Sequence, residues 1–293
     1  MDFLKVTFPV SGVTTWVFLP PLVGFTLAFF GVMGGVTGAF LLLPFQFSVL
    51  GYTTPGVSAT NLLYNLFTIP PALWRYRRQG RFPRTLTLAM LLTLIPGMFA
   101  GYLLRISLLS SPGRFRYLVG LVLLYLSLRL LGDLRRQTRP RPAKGDTLSE
   151  GVFSLREIRL FFGGEVYRVP GPPLLLLSLL VGLVGGAYGI GGGAILSPFL
   201  VAVLRLPIYI TAGGTLATTF VGSLAGVLFY SFGPGAGPQT RPDLLLAALL
   251  GLGGLIGGWF GARLQPRIPE RLIKAGLFLA TLLVALKYLL WHK

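Results

Sequence analysis

The sequence predicts an all-α polytopic membrane protein made of two tandem homologous repeats, each carrying a glycine-broken helix. Three observations predict it: charge is scarce, bilayer-length apolar runs recur along the chain, and one glycine pattern occurs twice. Only 12% of the 293 residues are charged, against roughly 25% in a soluble domain. Mean hydropathy is +0.75. The surface that charge would normally cover must therefore face something other than water.

Crossing about 30 Å of hydrocarbon takes roughly 20 apolar residues in a helix. Runs of this kind are Pro21–Met33 continuing through Gly34–Leu50, then Val57–Leu73, Leu86–Leu104 and Tyr117–Leu131. After a polar interval come Leu174–Leu204, Ile210–Phe232, Leu244–Ala262 and Leu272–Leu290. The first twenty residues lack the basic-then-apolar pattern and small-residue cleavage site of a signal peptide, so none is expected. There is no cysteine, hence no disulfide framework and no thiolate chemistry.

The repeat is read from matched glycines. Gly31, Gly35, Gly38 and Pro44 correspond to Gly185, Gly189, Gly192 and Pro198 at one constant offset. Ser58-Ala-Thr60-Asn61 then falls near Gly213-Gly-Thr215, and Gly97–Gly101 aligns with the segment around Gly258 and Phe260. Internal self-similarity of this kind decides architecture. The chain divides into a first transmembrane repeat (1–132), a basic linker (133–173) and a second transmembrane repeat (174–293). The linker holds Arg135, Arg136, Arg139, Arg141 and Lys144 and a mixed-polarity stretch around Gly163-Gly164. It is expected to be cytoplasmic, because cytoplasmic loops carry the excess of Lys and Arg, and to hold a surface hairpin or an interfacial helix.

Each glycine cluster interrupts an apolar stretch of about thirty residues, longer than one span needs. Gly189-Ile-Gly191-Gly192-Gly193 should break the helix near mid-membrane, since glycine leaves helical geometry at little cost. Unwound backbone at that depth is tolerated only where protein or a water-filled cavity covers it, and broken helices in repeat-built transporters commonly form the substrate site. The small-residue spacings Gly97/Gly101, Gly254/Gly258 and Gly257/Gly261 suit close helix packing instead. If each broken stretch folds back as two half-helices, the repeats are inverted; if each crosses once, eight spans run in parallel repeats. Cation counts on the two sides differ by one residue between these arrangements. Inversion is favoured because it keeps the Arg263–Lys274 cluster on the linker side.

The net charge of +18 does not point to nucleic acid, because the cations lie between spans rather than among aromatics on one face. All eight acidic residues fall in tails or loops and the single histidine is His292. The spans thus lack the carboxylate or histidine relays of many proton pumps, and no His-Glu-x-x-His or Ser/His/Asp pattern suggests an enzyme. No metal site and no cofactor are expected.

An anion suits what remains. A half-helix that starts after a mid-membrane break directs free N–H groups and the positive end of its dipole at the site. The candidate substrate-binding residues are Gly35, Thr37, Gly38, Thr60 and Asn61 in the first repeat. In the second they are Tyr188, Gly189, Gly191, Gly192, Gly193, Ser197, Thr215 and Thr218. Ser58, Asn65 and Thr219 supply further donors nearby. Each hydroxyl has the alternative of bonding back to its own helix.

The Gly-x-Gly-Gly-Gly-x-x-x-x-Pro pattern at Gly189–Pro198, its degenerate copy at Gly34–Pro44 and the Gly-Thr-x-x-Thr stretch at Gly214–Thr218 resemble the TauE/SafE sulfite exporter family. This is also called the toluene sulfonate uptake permease family, and the resemblance covers nearly the whole chain. The first copy departs from the pattern, with Val36-Thr37-Gly38 in place of a fuller glycine run. The resemblance implies a carrier in a prokaryotic inner membrane, with about eight spans, for sulfite, organosulfonates or related sulfur-containing anions. The expected partners are therefore a small anionic substrate and the lipid bilayer. An anion channel and a non-transporting membrane scaffold are the alternatives.

Overall fold

The computed structural model describes residues 4–33, 37–80, 82–135, 148–154, 156–162, 164–204, 206–264, 268 and 270–290. It is an all-α polytopic membrane protein with small sheets at its ends. A short antiparallel pair, β1 (Lys5–Thr7) and β2 (Thr14–Trp16), precedes α1 (Leu19–Met33). Then follow α2 (Ala39–Ser48), α3 (Gly56–Thr68), α4 (Pro70–Arg78), α5 (Arg84–Ile106) and α6 (Pro112–Arg135). The linker region carries β3 (Ser149–Phe153), β4 (Glu157–Phe162) and β5 (Glu165–Pro170) in a three-stranded antiparallel sheet. The second half is α7 (Gly171–Tyr188), α8 (Gly193–Ala202), α9 (Ile208–Phe232), α10 (Leu244–Leu264) and α11 (Glu270–Leu290).

Among the described residues α5, α6, α7, α9, α10 and α11 are each long and apolar enough to cross a membrane, while α1 and α2 are shorter apolar helices. Their outward faces are rows of large apolar side chains at helical spacing: Leu88 and Leu92 on α5, Leu121, Tyr125 and Leu128 on α6, Leu279 and Leu283 on α11. Exposed apolar surface on this scale is a lipid-facing belt, since a water-soluble monomer would not tolerate it.

Without a hydrophobic drive between helices in lipid, close association depends on small residues that let backbones touch. Two seams use this. Gly253, Gly257 and Gly261 of α10 lie against the backbone of Pro21, Phe25 and Phe29 of α1, in the same order, so the two helices run parallel. Gly97 and Gly101 of α5 likewise meet Leu179 and Leu183 of α7. The packing role read from these glycine spacings holds except at Gly258, where an added Cβ would find only Val32 Cγ2 at 3.6 Å.

Two other pairs run antiparallel. In α3 and α9, Asn65 bonds Ser223 while Leu62 packs on Gly226, further along α9. Near the start of α6, the Arg116 guanidinium donates to the carbonyls of Tyr288 and Lys287 near the end of α11. One end of the bundle carries β3–β5, the end of α4 and the start of α5; Leu148 N–H bonds Gly80 O at 3.0 Å there. The opposite end carries β1–β2, the 49–55 loop and the 233–243 loop, joined by Gly56 N–H to Gln239 O at 2.8 Å.

The linker stretch contains the surface hairpin: β4 and β5 pair antiparallel, with Phe162 opposite Glu165. Gly164 has φ +79°, the left-handed geometry that two-residue hairpin turns demand. Ile158, Leu160 and Phe162 alternate inward on β4 and join the buried cluster of α5, α7 and α8. The basic run Arg136–Lys144 lies outside the described residues.

Candidate functional site

Both glycine clusters interrupt a helix. In the second half α7 ends at Tyr188, and α8 starts at Gly193 after a turn with φ +93° at Gly189, +72° at Gly191 and +96° at Gly192. These are left-handed values at which side-chain-bearing residues are strained. The chain doubles back there: a Cβ on Gly185 of α7 would lie 3.0 Å from Gly192 N, and Leu196 and Leu200 of α8 return to the cluster of Leu86, Met90 and Leu94 on α5. In the first half α1 ends at Met33 and α2 begins at Ala39, with Gly38 closing on the backbone of Leu27 and Ala28. Gly35, a predicted site residue, lies outside the described residues.

The two hairpin tips meet, and Asn61 of α3 joins them. Its Nδ2 donates to Ala39 O, at the start of α2, and to Gly189 O, at the end of α7, both at 2.9 Å. Gln46 Nε2 reaches Asn61 Oδ1 at 3.4 Å from the other side. Tyr188 reinforces the junction, its hydroxyl donating to Phe40 O at 2.7 Å. Ser58 Oγ donates to Ala187 O at 2.9 Å, and Asn65 Nδ2 donates to Ser223 Oγ at 3.1 Å and Ile190 O at 3.4 Å. Three residues of α3 thus bind carbonyls at the end of α7 (Ala187) and in the turn that follows it (Gly189 and Ile190). Their one-turn spacing puts Ser58, Asn61 and Asn65 on one helix face.

Polar groups at this depth have no bulk water, so an unpaired one is costly. Two acceptors in the cluster, Gln46 Oε1 and Asn65 Oδ1, nevertheless find no hydrogen-bond partner among the described residues. Neither α2 nor α8 has a side-chain cap at its N-terminus. The first-turn N–H groups and positive dipole ends of both half-helices are therefore concentrated at the tips. The tips are also tight. A Cβ would lie 2.5 Å from Ser58 O on Gly189, 2.5 Å from Ser223 Oγ on Gly191 and 2.1 Å from Thr219 Oγ1 on Gly193.

The other predicted residues are placed differently. Thr60 faces away from the tips; its hydroxyl accepts from Asp243 N–H at 2.9 Å and lies 3.4 Å from Tyr52 OH. Thr215 and Thr218 bond back to their own helix, to Thr211 O at 3.0 Å and Gly214 O at 2.8 Å. Thr37 and Ser197 are half-buried near the start and middle of α2 and α8 hairpins. Burial pushes the Tyr52 hydroxyl, in the 49–55 loop, up to about 12, so it stays a neutral hydrogen-bonding group at any working pH.

Three contributors escape the sequence reading, Gln46, Ser223 and Arg129, and so does Arg105, buried away from the tips beside Thr53. Gln46 carried a signal, as a lone amide in an apolar run two residues after Pro44. Ser223 lies one turn beyond Thr219 on the same face. The arginines correct the expectation that cations lie between spans. Arg105 sits in the last turn of α5 and is fully buried. Arg129 of α6 pairs with Asp133 at 3.6 Å and donates from Nη1 to Ala194 O at 3.1 Å, in the first turn of α8.

Comparison with known proteins bears on this arrangement. Residues 21–288 match the family model described as "Sulfite exporter TauE/SafE". A "Probable membrane transporter protein" of Xylella fastidiosa strain Temecula1 is 26% identical over 281 residues, covering 92% of each chain. A protein of the same description from strain 9a5c is 26% identical over 278 residues, again with 92% of each covered. No solved structure matches the chain.

Proposed function

This chain belongs to the TauE/SafE sulfite exporter family, and on that premise we propose that it is a secondary carrier for small sulfur-containing oxyanions such as sulfite or organosulfonates. The observation that carries the reading is the meeting of two uncapped half-helix N-termini across Asn61. Backbone donors and dipole ends aimed at one point favour a negative ligand. Arg129, ion-paired with Asp133, reaches the first turn of α8 beside it. Among the described residues no His, Asp or Glu cluster could hold a metal, and the junction is made of amides and hydroxyls rather than acid–base groups. This composition supports transport over catalysis.

The mechanism is alternating access. The antiparallel courses of α3 against α9 and of α6 against α11 support two inverted repeats, with one hairpin entering from each end of the bundle. Rocking one repeat against the other would expose the tips to each side in turn. The end with β3–β5 and the Arg75, Arg77 and Arg78 cluster is the cytoplasmic one by the charge rule, in a prokaryotic inner membrane.

Uptake of radiolabelled sulfite into proteoliposomes tests this, with unlabelled sulfite, sulfate, taurine and sulfoacetate as competitors. The expected result is saturable uptake, accelerated by sulfite preloaded inside and lost in Gly192→Leu. Flux that neither saturates nor responds to preloading marks a channel. No flux from folded, inserted protein overturns the sulfite assignment.

A further inference from the structure

At the end of the bundle opposite the linker, a recess of about 230 Å³ is lined by Pro9, Val10, Thr54, Pro238, Gln239 and Arg241. Behind its wall, bonded to Thr53 next to the lining Thr54, lies the fully buried side chain of Arg105. The guanidinium rests 3.7 Å above the Phe115 ring, Nη2 donates to Thr53 O at 3.3 Å, and Nη1 donates to Leu109 O. Among the described residues its Nε finds no acceptor and no carboxylate pairs with it. The nearby carboxylate of Asp243 is already committed. It accepts from Val10 N–H at 3.1 Å, Ser11 N–H and Oγ at 2.9 Å and Leu246 N–H at 3.1 Å, which holds the β1–β2 loop as one wall of the recess.

A buried guanidinium without a counter-ion remains costly even after its surroundings relax. Here the missing negative charge has an adjacent space and a second guanidinium, exposed Arg241, at its lip. We propose that the recess is an anion-binding vestibule, the first station for a small oxyanion entering or leaving at this end. Arg241 captures the anion and Arg105 supplies the buried counter-charge. This rests on the carrier reading for its biological use. The volume holds a sulfite-sized anion with part of its hydration shell, at about 30 Å³ per water. Below it the path narrows: a Cβ on Gly56 would lie 2.3 Å from Tyr52 OH and 2.6 Å from Arg241 O. The vestibule is thus distinct from the hairpin tips, whose contacts with α3 begin two residues further on at Ser58.

Calorimetric titration of sulfite into the purified full chain, in lipid-free detergent, separates the two sites. Wild type is expected to bind at two sites. Asn61→Ala abolishes the one at the tips, while Arg241→Gln weakens the vestibule by at least about tenfold, the equivalent of 1.4 kcal/mol. Arg105→Lys keeps part of the vestibule affinity and Arg105→Gln loses it; if Arg105→Gln fails to fold, the exposed Arg241 still decides. Loss of binding in Arg241→Gln with Asn61→Ala unaffected upholds the vestibule and removes the tips as the site. A single site lost in Asn61→Ala and unchanged in Arg241→Gln overturns the vestibule and leaves the carrier reading standing. No sulfite binding by wild type overturns both; binding of short-chain phosphatidylglycerol but not of sulfite at the recess overturns the vestibule alone.

Discussion

The carboxamide of Asn61 holds the two tips together with one nitrogen and two acceptors. Replacing it with alanine removes both bonds and leaves Gly189 O, in the unwound turn, without this partner, at about 1–3 kcal/mol for a buried unpaired group. Asn61→Ala is therefore expected to lower the melting temperature in detergent and to abolish flux, and Asn61→Asp, which loses the two-donor nitrogen, should not restore it. Gly193→Ala should fail for a different reason, because the new methyl would lie 2.1 Å from Thr219 Oγ1. Thr219→Ala in the same chain removes that atom, so flux in the double variant should exceed flux in Gly193→Ala alone. Additive losses would show that the clash is not what matters. Tyr52 offers a pH signature. Its raised value means that the stability gained from its neutral form is complete below pH 10 and is lost as pH rises towards about 12. Melting temperature should fall over that window, and fall less in Tyr52→Phe.

At the scale of elements, the same residue type does two jobs. On α10, Gly253 and Gly257 would place a Cβ 1.9 and 2.1 Å from backbone oxygens of α1, so these glycines set the distance between helices. Gly276 on α11 has open space around it. Gly253→Ala should lower thermal stability sharply, whereas Gly276→Ala should leave it unchanged or raise it, alanine being the better helix former by about 1 kcal/mol. Equal melting temperatures for the two variants would remove the seam argument. On α7 and α8 the glycines at 189, 191 and 192 serve the turn itself, through their positive φ.

For the whole molecule, the two ends of the bundle make opposite commitments to the two sides of the membrane. The chain has no cysteine, so single cysteines report cleanly. Arg78→Cys at the linker end and Ser110→Cys at the other end, both exposed, should react with a membrane-impermeant maleimide from opposite sides, Ser110→Cys in intact cells and Arg78→Cys only in inverted vesicles. Labelling of both from one side would overturn the assignment of ends.

The sequence alone determined that this chain lives in a bilayer, where six of its spans lie and that its glycine clusters break two helices, although its Val57–Leu73 run folds as the two short helices α3 and α4 rather than as one span. Those features are local: apolar length and glycine density act on each segment without reference to any other. It also singled out Asn61, Tyr188 and the Gly189–Gly193 turn. What it left open depends on which segments touch. Only the tertiary structure brought α3 against both tips, so that Ser58, Asn61 and Asn65 spend their donors on carbonyls of another segment, while Thr215 and Thr218 spend theirs within their own helix. It also buried Arg105 and Arg129, whose sequence context reads as ordinary span ends. A hydroxyl or guanidinium has the same chemistry in every position, and its role follows from the acceptors that folding places within its reach.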